Sequence, residues 1–352
     1  MSTPTQHVVR IDASPEEAWA YLADLRRRPE WDYSLRGAEY KGEPAIGLEG
    51  SFQKMRGPDR RFSVHALVPG KRLRLWEQAA VGALEWEHRL EPVGEGVELH
   101  LELTATGVGR FLPAPEPAHI QAMAERLKAR IEDPTDEPAR HPFLLEGFPM
   151  VHRAMRKDVM RLDGLLRRIQ LGEGVDTDTV RAWFAFVWAI AEGHHLGEDN
   201  QIFPRVAARC PGFRTAWRQI ETEHQQLDAA IRALDATLKE GVESGDVEPA
   251  IDAVRILRDQ LEGHLAREEV AFERAVRADW TPEEQLALQD VLRKAVPMRL
   301  IELVIPWMLD SATETERKQF LAQLPLPARV LYNVSWKAHY HSLLVPFAEL
   351  PG

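Results

Sequence analysis

Four histidines and two glutamates fall at spacings that let them meet around metal ions. Wound as a helix at about 100° per residue, His152 lines up with Met155, Val159, Leu162 and Leu166. His194 and Glu198 sit one turn apart on the side that carries Trp183, Val187, Ile190 and Ala191. His224 shares a line with Trp217, Ile220, Leu227 and Ile231. His264 and Glu268, again one turn apart, are flanked by Leu257, Leu261 and Ala271. One histidine on an apolar stripe is an ordinary hydrogen-bonded core residue. Four such stripes in succession, two with a carboxylate four residues after the histidine, point elsewhere. Residues i and i+4 project from one face and can reach one metal, and Glu198 and Glu268 would otherwise be costly uncompensated anions. Two cations at the centre would balance both and take up the imidazole lone pairs. That donor set suits iron, with zinc or manganese as alternatives, and helical bundles build such sites from inward side chains.

His195 lies about 100° from His194, at the edge of the stripe. Two roles stay open for it, a further metal ligand or a group that orients one. Asp199 and Glu269 point further away and are expected to face solvent.

The elements that must carry these residues are four helical segments, which occupy residues 146–275. The histidine and glutamate pieces are His152, HHLGEDNQIFP at 194–204, EHQQLD at 223–228 and HLAREE at 264–269. On these pieces the segment resembles the hemerythrin-like, or HHE cation-binding, family. The resemblance implies an antiparallel four-helix bundle with a bridged pair of non-heme irons, ligated by His152, His194, Glu198, His224, His264 and Glu268, the two glutamates bridging. One departure matters. Oxygen-carrying members have a second histidine one turn along the third helix, where this chain has Asp228. A site poorer in histidine than a reversible oxygen carrier is expected.

The N-terminal part has a different rhythm. Val8 to Ile11 reads as a strand, and Ser14-Pro15-Glu16-Glu17 as a capping box opening a helix to about Leu25. Period-two runs follow: Phe62, Val64, Ala66 and Val68; Leu84, Trp86, His88 and Leu90; Val97, Leu99, Leu101 and Leu103. They predict antiparallel strands with one buried face. A last helix over about 115–131 repeats Ile120, Met123, Leu127 and Ile131. With its opening VVRIDASPEEAWAYLADLRRRPEWD, this segment resembles the START/polyketide-cyclase (SRPBCC) superfamily, in which a curved sheet grips a long helix around an apolar cavity. The fold class expected is therefore α+β. A helix-grip domain over 1–132 precedes an all-α up-down bundle with extra C-terminal helices over 276–352. The acidic, proline-rich stretch from 133 to 145 reads as the linker.

His88 shares its strand face with Trp86 and Leu90. It is the candidate to contact a small apolar ligand in an N-terminal cavity, beside the plainer reading of a core histidine bonded to backbone. Trp31, Trp76 and Trp86 are the candidate lining, and His65 and His100 fall on the opposite register. The C-terminal stretch, with Trp336, Tyr340 and His341, is apolar enough to pack on the bundle. His339 and His341 lack helical ligand spacing.

Composition narrows the function. A net charge of −11 argues against nucleic acid as a partner, and Arg26, Arg27 and Arg28 read as a solvated face. The single cysteine, Cys210, excludes an intrachain disulfide and a thiolate metal site, and fits a cytoplasmic setting. No stretch approaches the roughly 20 apolar residues that span a bilayer, and the first residues lack a signal-peptide pattern. No nucleotide-binding glycine loop appears, so a reductase would be a separate protein. The leading expectation is a di-iron protein that meets O2, peroxide or nitric oxide, and acts as an oxidoreductase on an apolar ligand held by the grip domain. A sensor or store without turnover, and a hydrophobic-ligand binder with a structural metal bundle, are the alternatives.

Overall fold

The computed structural model describes residues 4–32, 34–54, 58–78, 82–106, 117–132, 140–145, 147–173, 177–244, 246–295, 300–312 and 314–344. Two compact units divide the chain, Met1–Asp136 and Glu137–Gly352.

The first unit is a seven-stranded antiparallel sheet: β1 (Thr5–Ile11), β2 (Leu35–Tyr40), β3 (Glu49–Lys54), β4 (Arg60–Val68), β5 (Arg72–Gln78), β6 (Ala83–Val93) and β7 (Gly96–Thr106). The strand order is β1-β7-β6-β5-β4-β3-β2, so the first strand closes on the last. Between β1 and β2 run α1 (Pro15–Ala23) and a 3-10 segment, Leu25–Glu30. Ser14 starts α1 with the reciprocal pair that Ser-x-x-Glu encodes: its N–H donates to Glu17 Oε2 at 2.9 Å, and its Oγ accepts from the Glu17 N–H at 3.2 Å. The long helix α2 (Pro117–Glu132) lays Ile120, Met123, Ala124 and Leu127 onto the buried sheet face, among Val97, Leu99, Leu101 and Leu103.

Two expectations fail here for local reasons. The alternation expected through Phe62, Val64, Ala66 and Val68 breaks after Val64. A register shift between Val64 and Ala66 reverses the strand faces, so Leu67 packs on the core and Val68 is exposed. Arg28, read as solvated, is 1% exposed. The 3-10 segment turns its side chain inward, where Nε donates to Asp32 Oδ2 at 3.3 Å. Arg26 and Arg27 stay partly exposed.

The second unit is helical. Its bundle consists of α3 (Gly147–Gln170), α4 (Thr177–Gly197), α6 (Pro211–Ser244) and α7 (Glu248–Asp279). At its end α4 widens into a π-helical turn, Glu198–Ile202, in which the Phe203 N–H donates to the Glu198 carbonyl. The short α5 (Phe203–Arg209) follows, with Pro204 in its first turn. Residues 140–145, placed in the linker by composition, pack on this unit. Arg140 and His141 both donate their N–H to the Arg277 carbonyl at 2.9 Å, and Leu145 is buried beside Phe148 and Phe272. After α8 (Pro282–Ala295) come α9 (Ile301–Asp310), α10 (Glu314–Gln323), α11 (Leu326–Leu331), a π-helical turn over Tyr332–Trp336 and α12 (Lys337–Leu343). Trp307, Leu309, Tyr332 and Tyr340 from this stretch join the main bundle core. Among the described residues no helix is long and apolar enough to cross a membrane.

Two apolar clusters stack along the bundle. One holds Met155, Ala191, Leu227, Leu261 and Leu265; the other holds Phe148, Ile202, Ile220 and Phe272. On each of the four helices the predicted ligands occupy the interval between them. The site is thus a polar layer sealed by apolar side chains at both ends.

Candidate metal centre

Four helices deliver seven side chains to that layer. His152 comes from α3, His194 and His195 from the end of α4, Glu198 from the π-helical turn, His224 from α6, and His264 with Glu268 from α7. Their donor atoms form two groups, each compact enough for one metal ion: His152, His194, Glu198 and Glu268, and His195, His224 and His264. Within each group the atoms lie within 4.8 Å of one another.

The carboxylates join the groups. Glu198 places Oε1 2.8 Å from His194 Nε2 and Oε2 3.9 Å from His224 Nε2. Glu268 places Oε1 3.4 Å from His152 Nε2, and Oε2 2.9 Å from His264 Nε2 and 3.7 Å from His224 Nε2. Each carboxylate therefore offers one oxygen to each group. A π-helical turn at this point suits a functional position, where the wider turn re-aims the side chains that follow α4.

Donor chemistry fits cations. Both oxygens of Glu198 and of Glu268, the Nε2 atoms of His224 and His264, and both ring nitrogens of His195 are buried without a hydrogen-bond partner. Buried polar groups are otherwise nearly always satisfied, and here the orphans point at one another. The outward nitrogens, in contrast, are held. His152 Nδ1 pairs with Glu269 Oε1 at 3.0 Å, His224 Nδ1 with Asp199 Oδ2 at 2.9 Å, and His264 Nδ1 with Glu223 Oε2 at 3.2 Å. A carboxylate on one ring nitrogen fixes the tautomer that turns the other nitrogen's lone pair inward. Those carboxylates are anchored in turn: Arg156 donates to Glu269 at 2.7 Å, Arg267 to Glu223 at 2.7 Å, and Trp217 to Asp199 at 3.2 Å.

The electrostatics carry the same signature. Burial pushes His194 down to about 3, with the charge of His152 adding to it, and pushes His195 well below its ordinary value. Burial opposes charge on His152 too, but Glu268 and Glu269 raise it; on His224, Asp199 and Glu268 overcome burial and lift it to about 9. Burial and the neighbouring Glu268 hold Glu198 well above the carboxylate range. Glu268 lies well below that range because the positive His152 outweighs its burial. Bound cations would balance the same carboxylates without those protons.

Sequence reasoning placed the six ligands of the resemblance in this layer, and the structure brings them together. It also assigns His195 to a donor group: the ring is 5% exposed and stacks on His224 with centroids 4.1 Å apart. The layer holds five imidazoles, His195 among them. Asp228 is half-buried and belongs to neither group, and the third imidazole of the second group comes from α4 instead. Asp199 and Glu269, expected in solvent, instead pair with the Nδ1 atoms of His224 and His152. A direction 100° off the apolar stripe faces a neighbouring helix in a bundle, not water. Glu223 was missed altogether. The available signal was an acidic residue next to a ligand in three places: Asp199 after Glu198, Glu223 before His224, Glu269 after Glu268.

In the first unit His88 is fully buried, and its Nδ1 lies 3.3 Å from the Leu73 carbonyl. Trp31 and Trp86 are buried as well, whereas Trp76 stacks on the exposed His65. His339 and His341 are exposed.

Residues 144–275 match the family described as Hemerythrin HHE cation binding domain, and residues 3–143 the family described as Polyketide cyclase / dehydrase and lipid transport. The chain thus joins a polyketide cyclase-type (SRPBCC) domain to a hemerythrin HHE domain, and it is a metal-binding, hemerythrin-like protein. Among curated proteins, Zinc finger protein BRUTUS of Arabidopsis thaliana is 27% identical over 190 residues, 52% of this chain and 15% of that protein's length. Among solved structures, protein MLL2253 from Mesorhizobium loti is 20% identical, with 38% of this chain and 99% of that one covered at a TM-score of 0.31. Protein CV1439 from Chromobacterium violaceum is 19% identical, with 37% and 98% covered at 0.30. The Aha1 dimer from Colwellia psychrerythraea is 19% identical, with 30% and 78% covered at 0.25.

Proposed function

We propose that the bundle holds two non-heme irons and reacts with O2 or a comparable small oxidant. One observation carries the reading: two buried carboxylates, each with one unpartnered oxygen in each of two imidazole groups. Glu198 and Glu268, each facing both groups, would help hold two metals. The second group also exceeds the four donors of a tetrahedral zinc site, with three imidazoles and the opposite oxygen of each carboxylate, while the first supplies two imidazoles and two carboxylate oxygens. No thiolate competes, because the Cys210 thiol is buried and donates to the Ala275 carbonyl. An iron pair held by these residues would supply the electrons that the oxidant takes up.

The chain's own residues do the rest. Asp199, Glu223 and Glu269 orient His224, His264 and His152, and the two apolar clusters exclude water. A cavity of about 50 Å³ adjoins His195, lined by Met155, Val187, Ala191, Leu227 and Leu261 among others. Apart from Asp158 and His195 its lining is mainly apolar, and it has room for a diatomic molecule. That favours O2 or nitric oxide over the more polar peroxide.

The test is to purify the protein without air, quantify its metals and record its absorption before and after air. About two irons per chain, with charge-transfer absorption appearing in air and lost in His194→Ala and Glu198→Ala, is the expected result. Absence of stoichiometric metal, with no such absorption after iron reconstitution, overturns the proposal.

A further inference from the structure

We propose that the interior of the N-terminal domain binds a small hydroxycarboxylic acid through Arg28, Trp31 and His88. Three buried polar side chains there have atoms with no partner: Arg28 at Nη1 and Nη2, Trp31 at Nε1, and His88 at Nε2. All three residues are at most 2% exposed. They adjoin one another, with Arg28 Cζ 5.3 Å from the Trp31 ring centroid and the Trp31 and His88 rings edge-on at 6.1 Å. Arg28 Cζ also lies 4.9 Å from the Phe52 ring and 4.6 Å from the Trp86 ring. A guanidinium held among aromatic rings by one bond from Nε to Asp32 has its two terminal nitrogens free as a fork.

The charges select an anion. Glu77 is engaged by Lys54 Nζ at 3.6 Å and Arg60 Nη1 at 3.1 Å, and its other oxygen accepts from Trp86 Nε1 at 2.9 Å. Asp32 faces Arg28. Glu77 and Asp32 are thus both engaged, and the two terminal nitrogens of Arg28 remain for a bound monoanion. Arg28 and Trp31 can only donate hydrogen bonds, so both suit the carboxylate.

His88 asks for something different. Burial and the Arg28 charge keep it neutral, pressing its pKa down to about 3. Its Nδ1 proton goes to the Leu73 carbonyl at 3.3 Å, so Nε2 is an acceptor and needs a ligand O–H. A carboxylate and a hydroxyl on one small body, set among Phe52, Trp31 and Trp86, meet all of these demands. Aromatic hydroxy acids fit best. This inference concerns the first unit alone and is independent of the metal reading.

The experiment titrates the full-length protein with salicylate, 3-hydroxybenzoate and 4-hydroxybenzoate. Benzoate and the matching hydroxybenzamides serve as comparisons, and the readout is the Trp31 indole N–H resonance, assigned with Trp31→Phe. Expected is a saturable shift with at least one hydroxybenzoate. Its neutral amide and its hydroxyl-free analogue should each bind about tenfold or more weakly, the ratio one charge-assisted hydrogen bond sustains. Arg28→Lys keeps the charge but loses the fork, and should weaken every acid. His88→Phe should abolish only the preference for the hydroxyl, with iron content unchanged in both variants. If no acid shifts the resonance at millimolar concentration, ordered water satisfies these groups and the proposal fails. It fails equally if the amides bind as tightly as the acids, or if benzoate matches the hydroxybenzoates.

Discussion

Two buried polar layers lie along α3, one at His152 and one at Asp158, less than two turns apart. At the second, both oxygens of Asp158 are used: Arg161 Nη1 donates to Oδ1 at 3.0 Å and Trp307 Nε1 to Oδ2. Arg161 continues to Asp310 at 2.5 Å, which also accepts from the Tyr340 hydroxyl at 3.2 Å. This layer closes on itself and fastens α9 and α12 to the bundle. At the first layer the Nδ1 atoms of His152, His224 and His264 are held by carboxylates, while both oxygens of Glu198 and Glu268, the Nε2 atoms of His224 and His264 and the His195 ring nitrogens have no hydrogen-bond partner. Both layers bury carboxylates; what separates them is whether the hydrogen bonds close without a guest. A closed network is structural, and an open one is built for a ligand.

The largest effect that tests this contrast is Glu268→Ala. Glu268 serves both donor groups, so its loss should remove essentially all bound metal, read by metal analysis of the purified protein. One metal retained at full occupancy would break the shared-carboxylate reading. Asp158→Ala is the counterpart. It leaves Trp307 and Arg161 facing a buried gap and should cost about 3–5 kcal/mol in denaturant unfolding, with metal content unchanged. If it strips the metal instead, the layers are not separable. Chelating the metal from the wild type should lower stability by about 3–4 kcal/mol at metal concentrations 100- to 1,000-fold above Kd, whereas the chelator should leave the melting curve of Glu268→Ala in place.

A smaller effect is expected one shell out. Asp199→Asn or Glu223→Gln should keep the fold and weaken metal affinity about 10- to 100-fold, measured by competition with a chromophoric chelator. The smallest concerns the first unit. Folded His88 stays neutral down to about pH 3, while in the unfolded chain it protonates below about 6.5. The folded pKa is depressed, so the stability it confers is present above pH 6.5 and is lost as pH falls. Between pH 6.5 and about 5.5 that loss should reach about 1 kcal/mol, and His88→Phe should flatten it.

Much of this was legible before any coordinates. The Ser14–Glu17 capping box, the strand pairs of β6 and β7, and the i, i+4 pairs His194–Glu198 and His264–Glu268 are local patterns, each within one element. The failures are equally local in cause. A single extra residue at the β4 bulge reverses two residues of a strand, and a 3-10 turn aims Arg28 where an α-helical or extended reading would not.

The sequence by itself determined which helix faces are apolar and which ligands ride on them, because a side chain's direction on its own helix follows from spacing alone. Only the tertiary structure decided what waits in that direction. His195 meets His224 and His264; Asp199, Glu223 and Glu269 meet imidazoles and not water; Arg28 meets three aromatic rings. Direction is a property of one element and surroundings are a property of several, so the donor pairs were readable from spacing and their partners were not.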